Sequence, residues 1–165
     1  MHNAAKPRSG QKLNLKFPSD NLSVRQVLEQ VLAVALSEDE KSVVEIVLAE
    51  VLNNIVEHAY QEDPSGRIEL SVEPSEMGFR VLVQDDGRPL PKGLPSKPVE
   101  HDLSCDSSDL PEGGFGWLLV RELTEELHYE RRDGRNVLSF WIPNPEAKKP
   151  EIAPVRHGVQ KQREN

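Results

Sequence analysis

Residues 50–58 read EVLNNIVEH, and a carboxylate (Glu50), an amide (Asn54) and an imidazole (His58) recur there at every fourth position. No glycine or proline lies between residues 40 and 60, and apolar residues recur at intervals of three and four, which predicts a helix. At about 100° per residue, the three polar side chains follow one line along this helix, each displaced by about 40° from the last.

A wide apolar stripe and its flanks predict that this helix is largely buried. The stripe consists of Val44, Leu48, Val51, Leu52, Ile55 and Val56, and its flanks of Val43, Ile46 and Val47. A buried carboxylate or amide is costly unless a partner satisfies it. Two interpretations stay open at this point: a core helix whose polar edge reaches solvent, or a polar edge that faces a ligand pocket.

The composition of the whole chain bounds its class. A chain of 165 residues suits one domain with tails. The net charge of −8 argues against a nucleic-acid surface, which needs a basic stripe. No stretch approaches the roughly 18 apolar residues of a membrane span, and the N-terminal MHNAAKPRSG lacks the apolar core of a signal peptide. We therefore expect a cytoplasmic protein that binds neither membrane nor nucleic acid directly.

Cysteine and histidine usage argues against two kinds of structural site. The single cysteine, Cys105, cannot form an internal disulfide and suits a reducing compartment. The five histidines and this cysteine show no zinc-ligand spacing. Neither a disulfide framework nor a zinc site is therefore expected.

Local signals divide the chain into three parts. We expect residues 1–10 to be disordered and residues 11–143 to form the folded domain. Residues 144–165 are polar and contain proline, which predicts a disordered tail.

The order of predicted elements within the domain indicates its fold class. Residues 12–17 alternate as a strand that ends at Pro18, Ser23 is placed to cap a helix over residues 24–36, and Ser37 with Glu40 has capping-box spacing. A hairpin follows Gly66, with strands RIELSVE and FRVLVQ around the turn PSEMG, and an irregular stretch covers residues 85–112. A helix is then predicted in WLLVRELTEEL, with Leu118, Leu119 and Leu123 as core. The last element is a hairpin of HYERR and RNVLSFWIP around an Asp-Gly turn. This order predicts an α+β two-layer sandwich, in which three helices cover one face of a mixed, mostly antiparallel sheet.

Two further motifs accompany the opening helix. In VLVQDDGRPLP, Asp85 ends a strand and Gly87 follows; a carboxylate there can accept a hydrogen bond from an exocyclic amine, and glycine lets a flat ring approach the backbone. In GGFG at 113–116, glycines directly before a helix can present backbone N–H groups to phosphates. Taken singly, the first motif also fits a simple Asp-Gly turn, and the second a glycine-rich loop end. The commoner GxxxxGK[ST] and post-strand GxGxxG fingerprints do not occur.

The three motifs occur together and in order: E-x-x-x-N on a helix, D-x-G after a strand, and G-x-G opening a helix. In this combination the chain resembles the N, G1 and G2 boxes of the GHKL ATPases, which share the Bergerat fold. EVLNNIVEHAY (50–60) and the block LPEGGFGWLLVRELTEELHYERRDGRNVLSFWIP are similar to the serine-kinase anti-sigma factors of that superfamily. The resemblance covers about residues 12–142 and implies ATP and Mg²⁺ as ligands.

The resemblance implies roles for residues around the ATP phosphates. Asn54 would coordinate the Mg²⁺ that bridges the phosphates, and Glu50 would polarise the attacking hydroxyl as the catalytic base. Gly114 and Gly116 would let a lid wrap the phosphates. Lys97, in SKP, would contact them.

Other residues would contact the adenine ring or the partner proteins. By the same resemblance, Asp85 would accept a hydrogen bond from the adenine amino group, and Gly87 would make room for the ring. His58 would close the pocket rim or bond backbone. Arg25, on the first helix, stands where the family has an arginine used in partner docking.

Two features depart from the family's pattern. Pro89 stands at the last position of the D-x-G-x-G motif, where glycine is usual. The lid stretch (residues 92–112) is acidic, and its only lysine or arginine residues are Lys92 and Lys97. Its carboxylates are Glu100, Asp102, Asp106, Asp109 and Glu112. Because acidic side chains repel a triphosphate, phosphotransfer is less secure than nucleotide binding.

Two functions follow from these observations. The first is an ATP-dependent serine/threonine-protein kinase that sequesters a sigma factor and phosphorylates an anti-sigma factor antagonist on Ser or Thr, a partner switch in transcription regulation and bacterial stress response. The second is an anti-sigma binding module that keeps the nucleotide-binding fold without efficient phosphotransfer. The ATPase fragment of a sensor histidine kinase fits less well, because neither His2 nor His58 lies in a phosphoacceptor helix pair. The family resemblance also implies a homodimer formed through the N-terminal strand.

Overall fold

The computed structural model describes residues 12–35, 37–95 and 114–147, and within them five strands and three α-helices form the fold. The elements are β1 (Leu13–Pro18), α1 (Asn21–Leu32), α2 (Glu38–Asn54), a π-helical turn (Ile55–Ala59), β2 (Arg67–Ser75), β3 (Gly78–Asp85), α3 (Gly114–Leu123), β4 (Glu125–Arg132) and β5 (Arg135–Pro143). The disorder predicted for residues 1–10 and for most of the tail falls outside the described residues.

The strands form one sheet in the order β1-β2-β3-β5-β4. Each neighbouring pair of these described strands is antiparallel, so the sheet is not mixed. Alternate residues of β2, β3 and β5 are buried, as expected when one face of a sheet is covered. Their side chains join those of the helices in one hydrophobic core, which confirms the predicted two-layer α+β sandwich.

Helix α1 begins earlier than predicted, and its cap is Asp20 rather than Ser23. The Asp20 carboxylate accepts hydrogen bonds from the Ser23 backbone N–H and from the Ser23 hydroxyl, both at 2.8 Å. The helix runs from Asn21 to Leu32, so the predicted range of 24–36 was wrong at both ends. Aspartate and serine both cap helices by accepting hydrogen bonds from the first backbone N–H groups, and here the acceptor is the charged carboxylate of Asp20.

Helix α2 begins as predicted, because the Ser37 hydroxyl accepts a hydrogen bond from the Glu40 backbone N–H at 3.2 Å. The predicted apolar stripe is buried, but the flanking Ile46 is 42% exposed. After Asn54 the helix widens into the π-helical turn, in which the Tyr60 N–H reaches back five residues to the Ile55 carbonyl at 3.1 Å. The regular helix predicted from residue 40 to residue 60 therefore ends six residues early.

Helix α3 ends at Leu123 and not within the predicted TEEL segment. The Thr124 hydroxyl donates to the Val120 carbonyl at 2.6 Å, and from Glu125 the chain pairs with β5. The fully buried residues of α3 are Trp117 and Val120. Of the predicted leucines, Leu123 packs partly buried against the core, whereas Leu119 is 44% exposed and was wrongly assigned to it. Strand pairing with β5 overrides the local helical preference of Glu and Leu at this point.

The two predicted hairpins are present. Strands β2 and β3 are joined at Ser75 and Gly78, which face each other in register. Strands β4 and β5 are joined through Asp133 and Gly134, both with positive φ (52° and 80°). This backbone is typical of the two-residue Asp-Gly turn that the sequence predicts.

Candidate functional site

A cleft lies where α2, the π-helical turn, the end of β3, α3 and the β4–β5 hairpin meet. Each of these elements contributes residues to its lining. Asn54 and Asp85 both line it, although they are distant in sequence and come from different layers of the fold. The apolar and aromatic lining residues are Val51, Ile55, Ala59, Pro89, Leu90, Pro91, Trp117, Tyr129 and Leu138. A cleft with apolar walls and a few polar groups suits a flat heterocycle.

Asn54 lines the cleft, and Glu50 lies one turn before it on α2. The Asn54 side-chain Nδ2 donates to the main-chain carbonyl of Glu50 at 2.6 Å. Because the nitrogen of the amide makes this bond, the Oδ1 atom remains as the acceptor or metal-binding atom. The side chains of both residues are half-buried.

The first turn of α3 packs directly on Glu50. A Cβ atom built on Gly116 would lie 2.2 Å from Glu50 Oε2 and 3.8 Å from Asn54 Nδ2. Only a residue without a side chain therefore fits this position while Glu50 keeps its place. The structure thus brings together Glu50, Asn54 and Gly116, and Gly114 begins the same helix.

Asp85, which also lines the cleft, is buried, with 4% of its surface exposed. Its Oδ1 accepts hydrogen bonds from the Gly87 backbone N–H at 2.9 Å and from Asn136 Nδ2 at 2.8 Å. Burial raises the pKa of Asp85, since desolvation disfavours the charged form; the two N–H donors act in the opposite direction. Asp85 is thus a desolvated carboxyl group held in one orientation.

The π-helical turn positions the Gly87 loop against the helix. A Cβ on Gly87 would lie 2.8 Å from both the Cβ and the carbonyl oxygen of Ala59, and the Arg88 N–H donates to that carbonyl at 2.9 Å. Tyr60 also holds this loop: its hydroxyl accepts a hydrogen bond from the Asp86 N–H at 3.1 Å and shares its one proton between the Arg67 carbonyl and the Asp86 carboxylate. A π-helical turn is common near functional sites, and here it brings Ala59 into contact with the loop that follows Asp85.

The pKa of Tyr60 follows from this packing. Burial raises the pKa of Tyr60 to about 12, and the hydrogen bond to Asp86 adds to the rise. The hydroxyl therefore stays protonated over the whole physiological pH range and keeps its hydrogen bonds to Asp86 and Arg67.

His58 lies on the rim of the cleft and is exposed. It belongs to the π-helical turn, so it does not continue the regular α-helical line of Glu50 and Asn54. The even spacing of the three polar residues in the sequence therefore overstated how similarly they are placed.

Other predicted residues lie elsewhere. Lys97 and the acidic residues of the lid stretch fall outside the described residues, whereas Lys92 is described and exposed. Arg25 is not part of the cleft. It lies on α1, with 79% of its side chain exposed and an ion pair to Glu29 at 3.5 Å. It borders a shallow groove between α1 and the helix that carries Asn53 and Glu57.

Sequence reasoning missed Asn136, Tyr129 and Trp117, which also line the cleft. Asn136 is 4% exposed and lies directly across the sheet from Asp85. A signal for it was present, because Asn136 occupies the inward series of β5 with Leu138 and Phe140. A polar residue at an inward position of a strand usually has a specific buried partner.

Two features are absent from the part of the chain that the structure describes. No group of three or more His, Cys, Asp or Glu side chains is arranged to hold a metal ion. No helix there combines the length and the apolar composition needed to cross a membrane.

The chain is similar in sequence to several known proteins. Over 133 residues the chain is 29% identical to the serine-protein kinase RsbW of Bacillus cereus (strain AH820) and of Bacillus anthracis, which covers 78% of this chain and 82% of each relative. The RsbW of Bacillus thuringiensis (strain Al Hakam) is 28% identical over the same length.

A solved structure supports the fold. The crystal structure of the RsbU and RsbW domains of Rv1364c from Mycobacterium tuberculosis superposes with a TM-score of 0.54 at 15% identity. The match covers 82% of this chain and 33% of that longer one. These similarities confirm the resemblance to the serine-kinase anti-sigma factors. Residues 18–142 match the sequence profile of the histidine kinase-like ATPase domain, and the chain belongs to that family.

Proposed function

We propose that this protein is an ATP-dependent serine/threonine-protein kinase and anti-sigma factor, which sequesters a sigma factor and phosphorylates the antagonist that would release it. The observation that carries the proposal is the cleft itself. It brings the carboxyl group of Asp85 and the amide of Asn54 to one cleft, with Glu50 and Gly116 in contact beside Asn54. In a chain of the histidine kinase-like ATPase family, this arrangement supports a complete site for ATP.

The adenine base would occupy the end of the cleft at Asp85. The carboxylate accepts a hydrogen bond from the exocyclic amine, and the apolar walls cover the faces of the ring. Gly87 keeps the loop close to Ala59, since any side chain there would collide with backbone. The buried position of Asp85 excludes water, which strengthens the hydrogen bond to the base.

The phosphates would lie toward Asn54 and α3. The residues present fit a bound Mg²⁺, because the Asn54 amide already donates through Nδ2 and so offers its Oδ1, a hard oxygen ligand. Such an ion, when bound, would neutralise the charge of the phosphates. The helix that begins at Gly114 presents its N-terminal N–H groups on the same side.

Glu50 would act as the base toward the acceptor hydroxyl. It is half-buried, lies one turn from Asn54, and contacts the first turn of α3 at Gly116. A carboxylate held by two helices can accept the hydroxyl proton while the substrate oxygen is positioned for attack.

Partner binding would use surfaces outside the cleft. A net charge of −8 gives the protein no reason to bind DNA, but it favours docking on the basic DNA-reading helices of a sigma factor. Arg25 on α1 is the candidate contact for the sigma factor and for the antagonist. We further propose a homodimer formed through the N-terminal strand, acting in the cytoplasm.

The alternative function is an anti-sigma binding module that binds nucleotide without efficient phosphotransfer. The observation that favours it is the acidic lid stretch, in which the carboxylates outnumber Lys92 and Lys97. The two functions share the nucleotide cleft and differ only in whether Glu50 has a chemical role.

One set of experiments tests both. Calorimetry and thermal melts with Mg·ATP measure binding, and ATP at 100 times its dissociation constant should stabilise the protein by about 2.7 kcal/mol. Radiolabelled ATP is then mixed with the protein and the antagonist encoded beside its gene, and the phosphorylated residue is mapped. An unchanged melt with no calorimetric binding would overturn the nucleotide site.

A matched pair of variants isolates the role of Glu50. Glu50→Gln should bind ATP normally but transfer phosphate about 10²- to 10⁴-fold more slowly, because an amide cannot accept the hydroxyl proton. Glu45→Gln is the control, since Glu45 is on the same helix and exposed to solvent. If the wild type binds ATP but no label reaches the antagonist, the binding-module function replaces the kinase. Normal transfer by Glu50→Gln would refute only the role given to Glu50.

A further inference from the structure

Asn136 connects the buried carboxyl group of Asp85 to the β4–β5 hairpin. It lies opposite Asp85 in the sheet and donates from Nδ2 to Asp85 Oδ1 at 2.8 Å. Only 4% of the surface of Asn136 is exposed, so water has little access to its hydrogen bonds. The bond is therefore part of the rigid core and not a surface contact.

The orientation of the Asn136 amide is determined by its other neighbours. Its Oδ1 accepts hydrogen bonds from the Tyr129 hydroxyl at 2.9 Å and from the Arg131 guanidinium at 2.6 Å. Arginine can only donate, so the oxygen of the amide must face Arg131. The nitrogen must then face Asp85, where it meets the acceptor that it needs.

The same residues hold the loop that follows Asp85. Tyr129 accepts a hydrogen bond from the Leu90 backbone N–H at 3.1 Å, and Arg131 donates to the Gly87 carbonyl at 2.9 Å. Asn136 Nδ2 also donates to the Arg88 carbonyl at 3.0 Å. The hairpin thus fixes both the carboxyl group and the backbone beside it.

The arrangement distinguishes the two oxygens of Asp85. Both hydrogen bonds that Asp85 accepts from the described residues end on Oδ1. Oδ2 is then the atom with acceptor capacity for a ligand in the cleft that Asp85 lines. An acceptor at this place favours a base with an exocyclic amine and disfavours one with a carbonyl oxygen there.

We propose that Asn136 is a positioning residue for base selection: held by Tyr129 and Arg131, its amide occupies Oδ1 of Asp85 and so presents Oδ2 to the exocyclic amine of adenine. The inference rests on the proposed function, because it concerns the base end of the same ATP site. It assigns the choice of base to a chain of contacts from the hairpin as well as to Asp85.

The test compares the binding of ATP and of inosine triphosphate, which carries a carbonyl oxygen in place of the amine. Calorimetry is performed on the wild type and on Asn136→Leu, which is close in size but has no donor. The wild type should prefer ATP by about 100-fold or more. Asn136→Leu should bind ATP about 10- to 100-fold more weakly, with a smaller loss for inosine triphosphate, so that the preference falls.

Three further variants separate positioning from general support of the fold. Tyr129→Phe removes one hydroxyl and should reduce the preference for ATP in the same direction, which keeps the test informative if Asn136→Leu does not fold. Asn136→Thr keeps a hydroxyl donor and should recover part of the preference. Ser139→Ala, on the same strand but in its outward series, is the control and should change nothing.

The possible outcomes are distinct. A lowered preference in Asn136→Leu and Tyr129→Phe, with partial recovery in Asn136→Thr, supports the inference. Equal losses for both nucleotides in Asn136→Leu, or an unchanged preference in Tyr129→Phe, would show that Asn136 only supports the fold, and would overturn the inference while ATP binding stands. If the wild type binds neither nucleotide, the proposed function fails and the inference fails with it.

Discussion

Gly116→Ala should slow phosphotransfer while leaving the protein folded. The added Cβ would lie 2.2 Å from Glu50 Oε2, whereas ordinary contact begins at 3.4 Å, so one of the two groups must move by about 1.2 Å. The atom in the way is the end of a flexible glutamate side chain and not backbone. We therefore expect the carboxylate of Glu50 to move and α3 to stay.

The substitution should change the rate of phosphotransfer much more than the folding stability. Replacing a helical glycine with alanine contributes about 0.5–1 kcal/mol to folding stability, which offsets the cost of moving the carboxylate. A displacement of about 1 Å at a catalytic group can lower the rate by about 10²-fold. The variant should therefore melt at a temperature close to that of the wild type, bind ATP with little change, and phosphorylate the antagonist about 10²-fold more slowly.

The assay measures label transfer from ATP to the antagonist, together with calorimetry and thermal melts. Gly134→Ala is one control: a Cβ there meets nothing within 4 Å, but φ is +80°, so the melting temperature should fall without an effect on transfer. Gly87→Ala is the second control, since its Cβ would meet the Ala59 backbone and should weaken ATP binding itself. Wild-type transfer by Gly116→Ala would refute the placement of Glu50 against α3 as a requirement for the reaction.

The remaining predictions concern the metal ligand, the base and the partner surface. Asn54→Ala should lose the increase in ATP affinity that Mg²⁺ provides; calorimetry with Mg²⁺ and with a chelator measures it, and an unchanged increase would contradict the ligand role. Asp85→Asn should lose ATP affinity. Asp85→Asn should also raise the melting temperature, and the rise should be larger at higher pH. Burial raises the folded-state pKa of Asp85, so the protonated carboxyl group favours folding at acidic pH, and this contribution is lost as pH rises through that pKa. A constant difference in melting temperature between acidic and neutral pH would contradict the second part. Arg25→Glu should weaken the complex with the sigma factor or with the antagonist and leave ATP affinity unchanged. Added antagonist should release the sigma factor from the wild type. A pull-down in which both partners bind one protomer together, and in which Arg25→Glu has no effect, would rule out the partner switch.

Local sequence determined those parts of the fold that depend on neighbouring residues. Ser37 caps α2 because its hydroxyl and the Glu40 N–H are three residues apart, a spacing that the chain itself specifies. The Asp133-Gly134 turn follows from two residues that tolerate positive φ. The order of elements, and with it the α+β sandwich, also follows from local periodicity.

Only the tertiary structure decided how these elements face one another. Leu119 is as apolar as Val120, but the rotation of α3 against α2 and the sheet buries Trp117 and Val120 and leaves Leu119 exposed. The end of α3 at Leu123 depends on pairing with β5, which no local preference specifies.

The site shows the same division. Glu50, Asn54, Asp85 and Gly116 were recognisable from motifs in the sequence. The alternation of β5 could indicate that Asn136 points inward, but its pairing with Asp85 depends on the register of β3 and β5. The π-helical turn that carries Ala59 to Gly87 was also invisible in the pattern of residues 40–60. Local hydrogen bonds and turn preferences act over a few residues, so they can be read from the chain. Register and helix rotation are determined by contacts between distant segments, which only packing brings together.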